Sequence, residues 1–222
     1  MSQDPLVQLE RRVVSCRRCP RLVEWRERVA REKRAAFATE DYWGRPLPGF
    51  GDPEARVYVL GLAPAAHGAN RTGRVFTGDR SGDWLFASMH RTGFANQPTS
   101  IALDDGLRLD GAFIAAAVRC APPANKPLPA ERDNCLPYAR EELNLLGPRV
   151  IVCLGGYAWD SACRLLAIRP KPPFGHGAEH PVEDGPLLLG CFHPSQQNTF
   201  TGKLTAEMTD AVFVRAREAA TR

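Results

Sequence analysis

Two groups of residues in this chain have the types and spacing that chemistry requires: a set of cysteines, and two long loops rich in Gly, His, Asn and Asp. Cys16 and Cys19 form a C-x-x-C pair near the start of the chain, Cys120 follows an apolar run, and Cys135 lies across the segment 121–134. Four thiolates brought together suit tetrahedral zinc or an iron-sulfur cluster, and spacing alone does not choose between them. A C-x-x-C pair also marks redox-active dithiols. Cys153, Cys163 and Cys191 sit inside apolar patterns and read as packing residues. Seven cysteines leave one unpaired in any disulfide scheme, so the reading is a reducing compartment with metal ligation or burial.

The first loop runs from Gly61 through Ala63, Pro64, Ala65, Ala66, His67 and Gly68 to Phe76 and Asp79. Small residues allow the backbone to approach a ligand, Phe76 offers a ring for stacking, and Asp79 offers a carboxylate. Asp79 precedes a helical pattern and so serves either chemistry or a helix cap. The second loop, His193-Pro194-Ser195-Gln196-Gln197-Asn198-Thr199-Phe200, starts where another apolar run ends. Between them Asn125 lies in a Pro-rich segment, 122–127, where it either holds a ligand or simply allows a turn.

The elements that must position these loops are short apolar runs without alternation: 57–61, 113–118, 150–155 and 187–192. Such runs predict strands covered on both faces. Helical spacing appears at Trp84, Leu85, Ser88, Met89 and Thr92, again at Trp159, Cys163, Leu166 and Ala167, and in a closing amphipathic stretch from Lys203 to Ala220. The alternation βαβαβαβ predicts an α/β/α sandwich around a central, mostly parallel four-stranded sheet, with the ligand site beyond the carboxyl ends of the strands. Residues 1–222 read as one domain, with surface loops at 45–53 and 169–177.

No stretch has the length and apolarity of a membrane span, and Met1-Ser2-Gln3-Asp4-Pro5 lacks the zones of a signal peptide. The expectation is an intracellular soluble protein. Residues 1–34 carry ten Lys/Arg against five Asp/Glu in a chain of net charge +4. That local excess suits contact with phosphates. It also suits the alternative of charge balance beside an anionic metal cluster, and the 25 Arg against 4 Lys fit a GC-rich coding bias equally well.

Taken together, the loops 61–79 and 193–203 resemble the two signature motifs of family 5, or B-type, uracil-DNA glycosylases, and Gly49-Phe50-Gly51-Asp52-Pro53 matches the same family. The resemblance covers Cys16 to Thr205. It implies a uracil-DNA glycosylase-like fold, a 4Fe-4S cluster on Cys16, Cys19, Cys120 and Cys135, and base excision from double-stranded DNA containing deaminated bases. A monomer in the cytoplasm, associated with the nucleoid, is the implied setting. Two departures from better-known relatives matter. Leu62 and Ala63 stand where an acidic or amide residue activates water, and Ala116 stands where family 4 enzymes carry an Asn that reads uracil. The implied specificity is therefore broad, taking in hypoxanthine as well as uracil.

The mechanism this implies stacks Phe76 on a flipped base and binds the base through backbone amides between Ala63 and Gly68. Gly61, Ala65, Ala66, His67 and Asn198 belong to the expected binding set. His193 donates to charge developing on the base, Asp79 orients water, and Asn125 helps to hold it. Three other functions remain open at the level of sequence: a nucleotide-binding enzyme of another kind, an iron-sulfur electron carrier, and a DNA-damage binder without catalysis.

Overall fold

In the computed structural model, which describes residues 4–221, a six-stranded sheet runs through the molecule in the order β1-β3-β2-β4-β6-β5. Residues 1–3, part of the segment read above for a leader, lie outside the described residues. The four inner strands are β2 (Val57–Gly61), β3 (Ala112–Ala116), β4 (Val150–Leu154) and β6 (Leu187–Cys191), and they pair in parallel. These are the four runs expected from the sequence, each within one or two residues of its bounds. Nearly every residue in them is buried, which is why they lack the polar alternation of a sheet with a wet face.

Two antiparallel edges extend this core: β1 (Phe50–Gly51) on β3, and β5 (Glu179–Pro181) on β6. The four-stranded expectation is thus extended by two. The segment 45–53 is correspondingly more than a surface loop, since it supplies an edge strand and inserts Leu47 into the core.

On one face lie α4 (Arg80–Arg91) and the closing α8 (Ala206–Thr221), packed against each other. Val57, Val59, Ile114, Val152 and Leu189 of the sheet meet Leu85, Phe86 and Met89 of α4 and Val212, Phe213 and Ala216 of α8. α8 begins at Ala206, and Leu204 is buried in the turn that leads into it. The other face is covered by α5 (Pro129–Leu146) and α6 (Gly156–Leu165), around Tyr58, Leu60, Ile151, Ala139 and Trp159. Burial of such side chains stabilises the fold by about 1.5–3 kcal/mol each.

The basic N-terminal segment folds as two helices, α1 (Pro5–Val14) and α2 (Pro20–Glu32). Both start on proline at the first helical position, where the missing N–H costs nothing. α1 packs on α5 through Leu9, Val13 and Tyr138. No helix among the described residues is long and apolar enough to cross a membrane.

Register places the carboxyl ends of the inner strands side by side. Gly61 pairs with Ala116, and Leu154 pairs with Cys191. β2 sits between β3 and β4, so the chain leaves it first to one side and later to the other. That reversal opens a crevice at the strand ends, the usual ligand position in open α/β sheets.

Candidate active site

A cavity of ≈ 570 Å³ occupies this crevice. Its wall is built from Leu62, Ala63, Pro64 and Ala65 after β2, Ala116 at the end of β3, Asn125, His193 after β6, and Ser195, Gln196 and Gln197 beyond it. Phe76, Asp79 and Ser81 close it from the α4 side.

The loop from β2 to α4 is folded back on itself by two arginines that the sequence reading left unassigned. Arg71, on the short helix α3 (Ala69–Thr72), donates to the carbonyls of His67 at 2.9 Å and Gly78 at 3.0 Å and pairs with Glu40. Arg74 is buried and donates to Thr77 Oγ1 at 3.0 Å, Ser100 Oγ at 2.9 Å and Asp105 Oδ2 at 2.7 Å. Burial alone would raise the Asp105 carboxyl, but Arg74 and three backbone amides hold it down at about 2. Between these anchors Phe76 adopts a positive φ of 53°, unusual for a bulky residue, and its ring lies against Gly61. A Cβ at Gly61 would come within 2.7 Å of that ring and would force it to shift.

Asp79 forms the helix cap and also borders the cavity. It is the N-cap of α4, accepting from the Gly82 amide at 3.0 Å, and its carboxylate also faces the cavity. Desolvation raises its pKa, opposed by the amides of Gly82 and Ser81. Gly68 lies directly against this carboxylate, where any side chain would overlap it. Gly68 thus shapes the site from behind.

His193 lies across the cavity from these groups, its ring centroid 6.2 Å from that of Phe76 and inclined at 37°. Burial pushes its pKa down to about 4, so the imidazole is neutral at physiological pH and one ring nitrogen carries a proton to donate. Asn125, exposed and at φ 56°, faces the same cavity.

Of the expected binding residues, Ala63, Ala65 and Phe76 line the cavity. Gly61 and Gly68 support it, and Ala66, His67 and Asn198 stand behind it. Ala66 accepts a bond from Asn70 at 3.4 Å. His67 turns away, its Nδ1 bonded to Tyr42 Oη at 3.0 Å. Asn198 Nδ2 donates 2.9 Å to the His193 carbonyl, which makes it a brace for that residue. Among the described residues, the amides of Ala63, Ala65, Ala66, His67 and Gly68 make no bond to another backbone carbonyl. Of these residues, Ala63 and Ala65 line the cavity.

The four cysteines expected as ligands gather at the junction of α2, the end of β3 and α5. Cys120 and Cys135 are buried in one apolar cluster with Leu22 and Val118, against which Cys19 packs, and Cys16 packs beside Tyr138. Cys120 is within electrostatic reach of Cys135 and Cys16, and Cys135 of Cys19 and Cys16. Burial pushes Cys120 up to about 12 and Cys135 up to about 11. Arg26, itself buried, donates to Cys120 Sγ at 2.9 Å, and the Cys16 carbonyl accepts from the same guanidinium at 3.4 Å. Among the described residues, no three His, Cys, Asp or Glu side chains stand close enough to hold a single metal ion. Four cysteines beside a buried guanidinium are the residue types that thiolate ligation of an anionic cluster requires. Cys153, Cys163 and Cys191 are buried in the core, as expected.

A model of the uracil DNA glycosylase superfamily matches residues 48–218. The chain is 56% identical over 209 residues to a Type-5 uracil-DNA glycosylase of Mycobacterium tuberculosis, covering 92% of this chain and 78% of that protein. It is 52% identical over 217 residues to the Type-5 enzyme of Mycobacterium leprae, covering 96% and 95%. To the Type-5 enzyme of Thermus thermophilus it is 50% identical over 210 residues, covering 94% and 95%.

Proposed function

The chain belongs to the uracil DNA glycosylase superfamily, and from that premise we propose that it hydrolyses the N-glycosidic bond of uracil and other deaminated bases in double-stranded DNA. The observation that carries this reading is the convergence of Asp79, Asn125, His193 and Phe76 on one cavity at the strand ends.

In the reaction proposed, the target nucleotide leaves the duplex and its base enters the cavity against Phe76. The bond from C1′ to the base nitrogen breaks and its electron pair stays on the base. Neutral His193 and the backbone amides of Ala63 and Ala65, which line the cavity, stabilise that negative charge. Asp79 orients a water with help from Asn125, and its carboxylate also favours the cationic sugar. The water oxygen bonds to C1′ and its proton passes to Asp79, while the base takes up a proton after departure. Gln196 and Gln197 line the cavity, and Phe200 stands 67% exposed beyond them with the Arg80 guanidinium over its ring. The short helix α7 (Gln196–Phe200) is therefore the element proposed to fill the gap the base vacates.

Broad specificity is supported by what lines the inner wall. Leu62, Ala63 and Ala116 present no hydrogen-bonding side chain to a base, so the backbone supplies most of the contacts. Backbone amides recognise a carbonyl oxygen, which uracil and hypoxanthine share.

A 4Fe-4S cluster on Cys16, Cys19, Cys120 and Cys135 forms the second part of the proposal. When bound it would supply a covalent brace between the α1–α2 segment, the end of β3 and α5, and its negative charge would match Arg26. We further propose a monomer acting on the chromosome in the cytoplasm. Incubation with duplexes carrying U·G or hypoxanthine·T, followed by alkaline cleavage of abasic sites, tests the activity. Strand scission at the lesion alone is expected, and intact strands for both substrates would refute it.

A further inference from the structure

A second cavity, of ≈ 800 Å³, lies between the two N-terminal helices and the segment 43–45. α1, α2 and the turn between them form one wall with Arg11, Arg17, Arg26 and Arg31, and the segment Trp43-Gly44-Arg45 forms the other. Two carboxylates, Glu10 and Glu27, face five guanidiniums. Glu27 is already shared, bonded to Arg17 at 2.5 Å and lying 3.7 Å from Arg26. Arg45 lies over the Trp43 ring at 5.6 Å. Arg26, 2% exposed, has its Nε buried without a hydrogen-bond partner, although its other nitrogens reach Cys120 and Cys16.

A groove of this size, lined by more guanidiniums than carboxylates, suits a phosphate. Its position is also informative. Asn70, on α3, donates to the Arg26 carbonyl at 3.3 Å, and its carbonyl accepts from the Gly44 amide at 3.1 Å. Its neighbour Ala69 lines the catalytic cavity. One turn of helix therefore separates the groove from the site where the damaged nucleotide would sit.

We propose that this groove is a phosphate-binding site that holds the backbone of the DNA strand flanking the damaged nucleotide. The proposal rests on the reading of this chain as an enzyme acting on DNA. Phosphates in the groove would add affinity without reading sequence, and would fix the approach of the duplex to the cavity. A free nucleotide offers the same phosphate chemistry, so the test separates the two sources.

The measurement is fluorescence anisotropy with a labelled, undamaged duplex over a salt series. It compares the protein with the double variant Arg31→Ser, Arg45→Ser, both at exposed positions. Arg108→Ser with Arg169→Ser, exposed on other loops, controls for net charge. The groove variant is expected to bind about 10-fold more weakly at moderate salt, with the slope of log affinity against log salt reduced by about 2, and the control much less. Equal behaviour of the two variants would overturn the proposal. Deoxyadenosine monophosphate and inorganic phosphate are titrated in parallel. Binding of either that the groove variant loses, with duplex binding unaffected, would overturn the strand assignment in favour of a free nucleotide. Because the duplex is undamaged, the result does not depend on whether the chain excises uracil.

Discussion

The side-chain amide of Asn198 donates to the backbone carbonyl of His193 at 2.9 Å, and the Ser195 amide donates to the same oxygen at 2.8 Å. A polar residue in a signature loop thus acts on the residue that heads the loop rather than on the ligand. The carbonyl of Asn198 in turn accepts from Leu204, which ties the loop to the start of α8.

Asn198→Ala removes one of two bonds that aim His193. The single-turnover rate on uracil-containing duplex is expected to fall about 10-fold, the worth of one hydrogen bond, with duplex affinity within twofold of the parent. A fall in affinity with an unchanged rate would instead place Asn198 on the DNA.

Asp79 caps α4 and faces the cavity, and two substitutions separate these roles. Asn caps a helix as well as Asp does, so Asp79→Asn should unfold at nearly the parental denaturant midpoint yet cleave at least about 100-fold more slowly. Asp79→Ala should lose the activity and, in addition, about 1 kcal/mol of stability. Parental activity in Asp79→Asn would leave only the cap.

His193 titrates near 6.5 in the unfolded chain and at about 4 when buried in the fold. Between those values the unfolded state binds more protons, so the contribution is fully present above pH 6.5 and is lost as pH falls towards 4. Over that window the parent should lose about 3 kcal/mol that His193→Gln does not, as read by urea titration at pH 7 and pH 4. Parallel curves would mean a solvated imidazole.

Much of this architecture is legible in the residues, and the exceptions have physical causes. The four inner strands are recognisable because burial on both faces leaves continuous apolar runs. The edge strands are two or three residues long, and β5 consists of Glu179, His180 and Pro181, which no apolar pattern marks. α5 is obscured by Pro137 in its interior and by its even mixture of polar and apolar positions, so Cys135 reads from sequence as a loop neighbour although it sits on a helix. Pro5 and Pro20 were the signals for α1 and α2, masked by the density of arginine. Within the site, motif membership identifies the loop but not the direction of each side chain. His67 and Asn198 lie in the same loops as Phe76 and His193, and only tertiary contacts to Tyr42 and to the His193 carbonyl turn them away.

Removal of a cysteine tests the proposed cluster. Cys135→Ser should abolish broad visible absorption and lower stability by about 2 kcal/mol or more, roughly 4–8 °C in Tm. Hydrogen exchange should speed up in α1 and α2 while the inner strands stay protected. Retained absorption would exclude Cys135 as a ligand.

Single-turnover release of free base, quantified by mass spectrometry from matched duplexes carrying uracil or hypoxanthine, bears most directly on the central claim that an open, backbone-lined cavity excises deaminated bases. The expected result is release of both bases by the parent. Ala116→Asn, which places an amide on the inner wall, should slow hypoxanthine release by about 10-fold or more relative to uracil. Release of neither base, or of uracil alone from a protein whose cavity wall is unaltered, would contradict the account.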